Sequence, residues 1–126
     1  WPLDKFEALA RILSERANVV FILGPAESAM EKTLRECELP VLKDLDLGTV
    51  AGIARLATGF VGNDSGVSHL AAGADAPGVV IFGPSDPQRW RPLGQVAVLG
   101  QQVAPDEVAA ALMLITDHHA CEKHSR

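Results

Sequence analysis

Apolar positions along this chain alternate between two spacings. Phe6, Leu9, Ala10, Ile12 and Leu13 form a stripe at helical period, with Asp4 placed to cap it. Residues 19–23 are a continuous β-branched and apolar run stopped by Gly24-Pro25, as expected of a strand buried on both faces. Residues 27–37 carry Met30 and Leu34 at helical spacing, 41–42 form a short strand, and 47–57 predict a helix. A strand over 59–62, a helix over 66–74 and strands over 79–82 and 96–99 follow. Pro105 sits where a first-turn proline belongs and opens a helix to about Thr116; the polar tail from His118 is expected to fray. Strands alternating with helices predict an α/β fold, a Rossmann-like and mainly parallel five-stranded sheet with flanking helices, in one domain over residues 1–117. The link 83–95 breaks the alternation, because Pro84, Pro87 and Pro92 exclude a long regular helix. Long structured loops in small domains are often functional.

Composition narrows the function. At 126 residues, the chain can bury one real core and not two. The formal charge of -5, without a run of Lys or Arg, argues against a nucleic-acid face. Acidity does not exclude a phosphate ligand, since backbone N–H groups bind anions without side-chain charge. Cys37 and Cys121 lie far apart in no motif, which fits a reducing compartment rather than a disulfide scaffold. No signal peptide is visible, and the apolar run 108–115 is too short to span a bilayer. That run is apolar nearly all round, so it is expected to be deeply buried or to face a partner. A start at Trp1 rather than Met points to a fragment or a processed product.

The chemistry concentrates where the strand at 59–62 meets the helix at 66–74. Asn63-Asp64-Ser65-Gly66 is a small polar turn, and Ser68 and His69 fall in the first helical turn after it. A helix start at the carboxyl edge of a strand presents unpaired N–H groups and a positive dipole end, a setting that binds phosphates. Ser65 can donate to a phosphate oxygen, and Gly66 lets the backbone approach closely. Asp64 would repel a diphosphate, so capping the helix or accepting from sugar hydroxyls suits it better. A plain capping role for Asp64 or Ser65 remains open. His69 can reach a phosphate or sugar oxygen, or can simply bond to backbone. Glu27, just after Gly24-Pro25, can bind a ribose diol or complement a helix dipole. The loop Gly83-Pro84-Ser85-Asp86 would form the second wall of a nucleotide-diphosphate crevice, with Arg89 and Arg91 able to neutralise charge. Ser65 and His69, four apart, invite a hydrolase reading, but no G-x-S-x-G elbow and no orienting third group accompany them. His118, His119, Cys121 and His124 do not match a standard zinc spacing.

Asp64-Ser-Gly-Val-Ser-His-Leu-Ala71 followed by Phe82-Gly-Pro-Ser-Asp-Pro87 resembles the donor-site signature of the ADP-heptose:lipopolysaccharide heptosyltransferases, glycosyltransferase family 9. Trp1-Pro2, Gly24-Pro-Ala-Glu27 and the helix at Leu47 also fit that family's carboxyl-terminal half, so the resemblance runs to about Gly94. It implies the second of two Rossmann-like domains in a GT-B arrangement, a cytoplasmic location that includes the inner face of the inner membrane, an ADP-heptose-like donor and a lipid-linked saccharide acceptor. It also implies roles. Ser65, Gly66 and Val67 would meet the donor diphosphate, Asp64 the transferred sugar, His69 a donor-side oxygen and Glu27 the ribose. Gly83, Pro84, Ser85 and Asp86 would complete the pocket. The family usually has Thr where this chain has Ser65 and Ser85, which keeps the hydroxyl. Its characteristic lysine lies just before the Trp-Pro pair, and its catalytic base lies on the amino-terminal domain, so no catalytic residue is expected here. No metal or other cofactor is required. The rival is a free-standing nucleotide- or phosphate-binding module that never catalyses, and a third class is the hydrolase.

Overall fold

The computed structural model describes residues 1–63, 66–82 and 96–124, with backbone alone for Pro25, Ala26, Gly66, Val67, His69 and 118–124. Five helices, α1 (Leu3–Leu13), α2 (Glu31–Glu36), α3 (Leu47–Leu56), α4 (Gly66–Gly73) and α5 (Pro105–His124), interleave with five strands among the described residues. The strands are β1 (Phe21–Leu23), β2 (Val41–Lys43), β3 (Phe60–Asn63), β4 (Gly78–Phe82) and β5 (Val96–Gly100). Every pairing is parallel, so the expected α/β class is observed. The single five-stranded sheet is not. Hydrogen bonding divides the strands into β1-β2 and β3-β4-β5. β1 begins two residues later than the apolar run, and Val20 is 43% exposed, outside the packed layer.

β4 is the centre of the core because its alternate residues feed opposite faces. Val79 and Ile81 pack with Leu9 of α1 and with Val108, Ala109 and Leu112 of α5. Val80 and Phe82 point the other way, into a cluster with Ala72 of α4 and Val96 of β5. All four β4 side chains are at most 2% exposed, and burial at that level stabilises by roughly 1.5–3 kcal/mol per large apolar side chain. The smaller sheet has its own cluster of Leu23, Leu34 and Val41, against which Leu3 of α1 packs. α1 therefore touches both sheets, with Leu3 on one and Leu9 on the other.

Local chemistry explains the helix ends. Asp46 caps α3, its carboxylate accepting from the Thr49 N–H at 2.7 Å. That bond holds the Asp46 carboxyl below its ordinary pKa. Asp4 does not cap α1; Pro2 holds the cap position and its carbonyl accepts from Lys5 and Phe6, leaving Asp4 in the first turn to face the dipole. α4 ends where Asp75 turns left-handed (φ 67°), with Asp75 N–H donating to Ala72 and Ala76 N–H to Ala71. That closure brings buried Ala71 and Ala76 together beside Ala54 of α3.

Two expectations about the ends of helices change. The stretch from Pro25 starts as a 3-10 helix (Pro25–Met30) before α2, where one helix from Glu27 is expected. α5 continues to His124, past the expected end near Thr116. No Gly or Pro interrupts 117–124. The apolar run 108–115 is neither buried all round nor wholly free: Val108, Ala109 and Leu112 are in the core while Leu114 is 74% exposed. Among the described residues no helix is long and apolar enough to cross a membrane.

Candidate functional site

Parallel pairing sets the site. Asn63 at the end of β3 pairs with Ile81, one residue before the end of β4. The chain thus leaves two adjacent strands at one carboxyl edge, after Asn63 from β3 and after Phe82 from β4. In open α/β sheets this edge is where ligands bind. α4 starts at Gly66, so its first turn, with the positive end of the helix dipole, belongs to the same edge.

Two described contacts tie the start of α4 to β3. Ser68 is 3% exposed and its Oγ donates to the Asn63 carbonyl at 2.6 Å. Gly62 makes room for that hydroxyl, because a Cβ at Gly62 would stand 2.5 Å from Ser68 Oγ. Asn63 is also reached from the beginning of the chain: the backbone nitrogen of Trp1 lies 2.9 Å from Asn63 Oδ1. The Trp1 indole N–H donates to the Val103 carbonyl at 3.1 Å, and its ring packs edge-on against Phe6 with centroids 4.9 Å apart. Trp1 is therefore anchored beside the carboxyl end of β3. Residue types alone do not reveal Trp1 as a neighbour of the site, since its contacts span up to 102 positions.

Gly66, Val67 and His69 lie in the first turn of α4, as the sequence predicts. Asp64, Ser65, Gly83, Pro84, Ser85, Asp86, Arg89 and Arg91 lie outside the described residues. Glu27 follows β1, within the 3-10 helix, and its Oε2 accepts from the Gly24 N–H at 3.0 Å while Gly24 accepts from the Glu27 N–H. Glu27 thus bonds the backbone at the start of its own helix, a contact that neither the ribose nor the dipole reading named. A carboxylate has further lone pairs, so one bond does not exhaust it.

A second polar cluster flanks the smaller sheet. Glu31 bonds Lys43 at 2.8 Å and Arg35 at 3.2 Å, beside an open depression shared with Ser28, Lys32 and Glu36. The hydrogen bond from Lys43 holds the Glu31 carboxyl below its ordinary 4.5, and Glu31 in turn raises the Lys43 ammonium above 10.5. A depressed carboxylate contributes fully above its unfolded value and loses that contribution as pH falls through its folded value. Glu31→Gln should therefore lower the thermal midpoint at pH 7, with the difference from wild type shrinking as pH drops below 4.5. A gap that persists unchanged at pH 3 would show that the charge on Glu31 is not what tethers α2 to β2.

With this geometry established, comparison with known proteins decides the family. Residues 1–109 match the model for glycosyltransferase family 9 (heptosyltransferase). The chain belongs to that family. Among its relatives, lipooligosaccharide heptosyltransferase 2 of Haemophilus influenzae is 28% identical over 108 residues, covering 79% of this chain and 31% of that protein. Lipopolysaccharide heptosyltransferase 3 of Escherichia coli is 31% identical over 103 residues, covering 73% of the chain and 29% of the relative. The chain thus spans about three tenths of the length of the curated relatives it matches. Its fold superimposes on a glycosyl transferase family 9 structure from Veillonella parvula (TM-score 0.83, 21% identity, 94% of this chain and 42% of that one). It also matches the E. coli heptosyltransferase WaaC solved with ADP (TM-score 0.81, 26% identity, 91% and 39%). The Rossmann-like character and the family read from the Asp64 and Phe82 motifs both hold.

Proposed function

We propose that this chain is the donor-binding part of an inverting heptosyltransferase that adds heptose to the lipopolysaccharide inner core. The observation that carries the reading is the α4 start at the shared carboxyl edge of β3 and β4, in a family member whose fold matches a heptosyltransferase solved with ADP. The donor is an ADP-heptose-like nucleotide-sugar. Gly66, Val67 and Ser65 hold its diphosphate, His69 a neighbouring oxygen, and Asp64 the sugar. Glu27 uses the oxygen not committed to Gly24 for the ribose. Gly83, Pro84, Ser85 and Asp86 close the other wall.

In the reaction a base on an opposing domain removes the acceptor hydroxyl proton. The hydroxyl oxygen then bonds to the anomeric carbon as the bond to the diphosphate breaks on the opposite face. Helix N–H groups stabilise the negative charge that develops on the leaving diphosphate, because they are already oriented before reaction. The Asn63–Trp1 contact supports the placement of the family's lysine, since a residue preceding Trp1 would enter at this edge. The acceptor is a lipid-linked saccharide held by the opposing domain, and the enzyme works in the cytoplasm at the inner face of the membrane. Residues 1–126 alone are expected to transfer no sugar.

Titrating the 126-residue chain with ADP and following backbone amide shifts tests the site. Binding in the range of about 4–6 kcal/mol, millimolar to tens of micromolar, is expected, with shifts centred on residues 63–69 and 84–86. Shifts centred elsewhere, or none at millimolar ADP, would remove the donor site from this edge.

A further inference from the structure

We infer that Ser68 is a positioning residue for the donor site: its hydroxyl, seated over Gly62 and donating to the Asn63 carbonyl, holds the first turn of α4 against the end of β3. The inference rests on the donor-binding reading above and concerns a residue that would touch no part of the ligand.

Three observations combine. The Ser68 Oγ to Asn63 oxygen distance of 2.6 Å is at the short end for a hydroxyl–carbonyl bond. That bond joins the last residue of β3 to the third residue of α4, and so fixes the ends of the segment containing Asp64 and Ser65 relative to each other. Gly62 is shaped to the hydroxyl in particular. An added Cβ there would meet Ser68 Oγ at 2.5 Å, whereas the next nearest atom, Ser68 Cβ, is at an ordinary 3.8 Å.

The bond is partly buried, so removing the hydroxyl should lower the unfolding midpoint modestly. What it loosens is the aim of the helix start. N–H groups that must converge on a phosphate lose binding strength quickly as they tilt or shift, because hydrogen bonds weaken steeply with angle.

The test uses the full chain in four forms: wild type, Ser68→Ala, Gly62→Ala and the double variant. Each is measured by urea unfolding, by ADP titration, and by ligand-free amide exchange at Leu70, one turn past Gly66. Ser68→Ala should lower the unfolding midpoint only modestly, weaken ADP binding roughly three- to tenfold as the helix start loses its aim, and speed exchange at Leu70. Gly62→Ala should lower the midpoint and weaken binding together. In the double variant the clash with Oγ is gone, so the midpoint should return to that of Ser68→Ala while ADP binding stays weak.

Recovery of wild-type ADP affinity in the double variant, or native affinity and exchange in Ser68→Ala, would overturn the inference. So would a loss of affinity that merely tracks the unfolding midpoint across all four chains. If wild type itself fails to bind ADP, the donor reading falls. The exchange arm then still decides whether the hydroxyl holds the turn, and unchanged exchange at Leu70 would reject that too.

Discussion

One added methyl group at Gly78 is expected to destabilise this protein by about 3 kcal/mol, the upper end of the usual cost of overpacking a core. Gly78 opens β4 directly opposite Phe60 in the parallel ladder. A Cβ there would collide with the Phe60 ring and would stand 2.6 Å from the Phe60 carbonyl oxygen. A ring can swing aside, but the carbonyl is backbone and cannot move without breaking the pairing of β3 with β4. That pairing also sets the shared carboxyl edge of β3 and β4, so under the proposed function the loss should spread from stability to ligand binding. Urea unfolding of Gly78→Ala measures it. Gly52→Ala is the control: Gly52 lies within α3 with nothing within 4 Å of an added Cβ, so alanine should raise stability by roughly 0.5–1 kcal/mol through helix propensity. A Gly78→Ala midpoint within error of wild type would mean that the strand pair tolerates a separation its register does not show.

Gly66→Val should weaken ADP binding by at least tenfold, about 1.4 kcal/mol, with the fold retained. Valine is a better helix residue than glycine, so α4 has no reason to unravel. Its branched Cβ would instead stand where the backbone must approach a phosphate at the helix start. Circular dichroism and the unfolding midpoint confirm the fold, and calorimetry with ADP reads the affinity. Full ADP affinity in the folded variant would take Gly66 out of the site. The contrast with Gly78 is informative: that glycine is required by packing, whereas the proposed function would have Gly66 required by the ligand.

Much of the donor edge was legible because its signals are local. The apolar runs that became β3, β4 and β5, the helix beginning at Gly66 and the Pro105 helix start each follow from a few neighbouring residues. The two motifs that carry the family resemblance are contiguous stretches of the same kind, at Asp64–Ala71 and Phe82–Pro87. Where expectation and structure part, a longer-range or competing interaction decides. Asp4 was a reasonable cap by residue type, yet Pro2 takes that position. Glu27 carried two readings, ribose binding and dipole complementation, and its 3.0 Å bond to the Gly24 N–H is a local contact that neither named. The helix end near Thr116 was read from a change to polar residues, although nothing in 117–124 prevents a helix from continuing.

The sequence by itself determined the order of strands and helices, the helix start after β3 and the family to which the chain belongs, because periodicity, turn chemistry and contiguous motifs are properties of neighbouring residues. Tertiary structure alone decided how the strands group, as β1-β2 and β3-β4-β5. It also decided which side of α5 is buried, and that Trp1 lies against Asn63 and Val103. Those facts depend on which surfaces meet after the chain has closed on itself, and contacts between residues far apart in sequence leave no periodic trace in it.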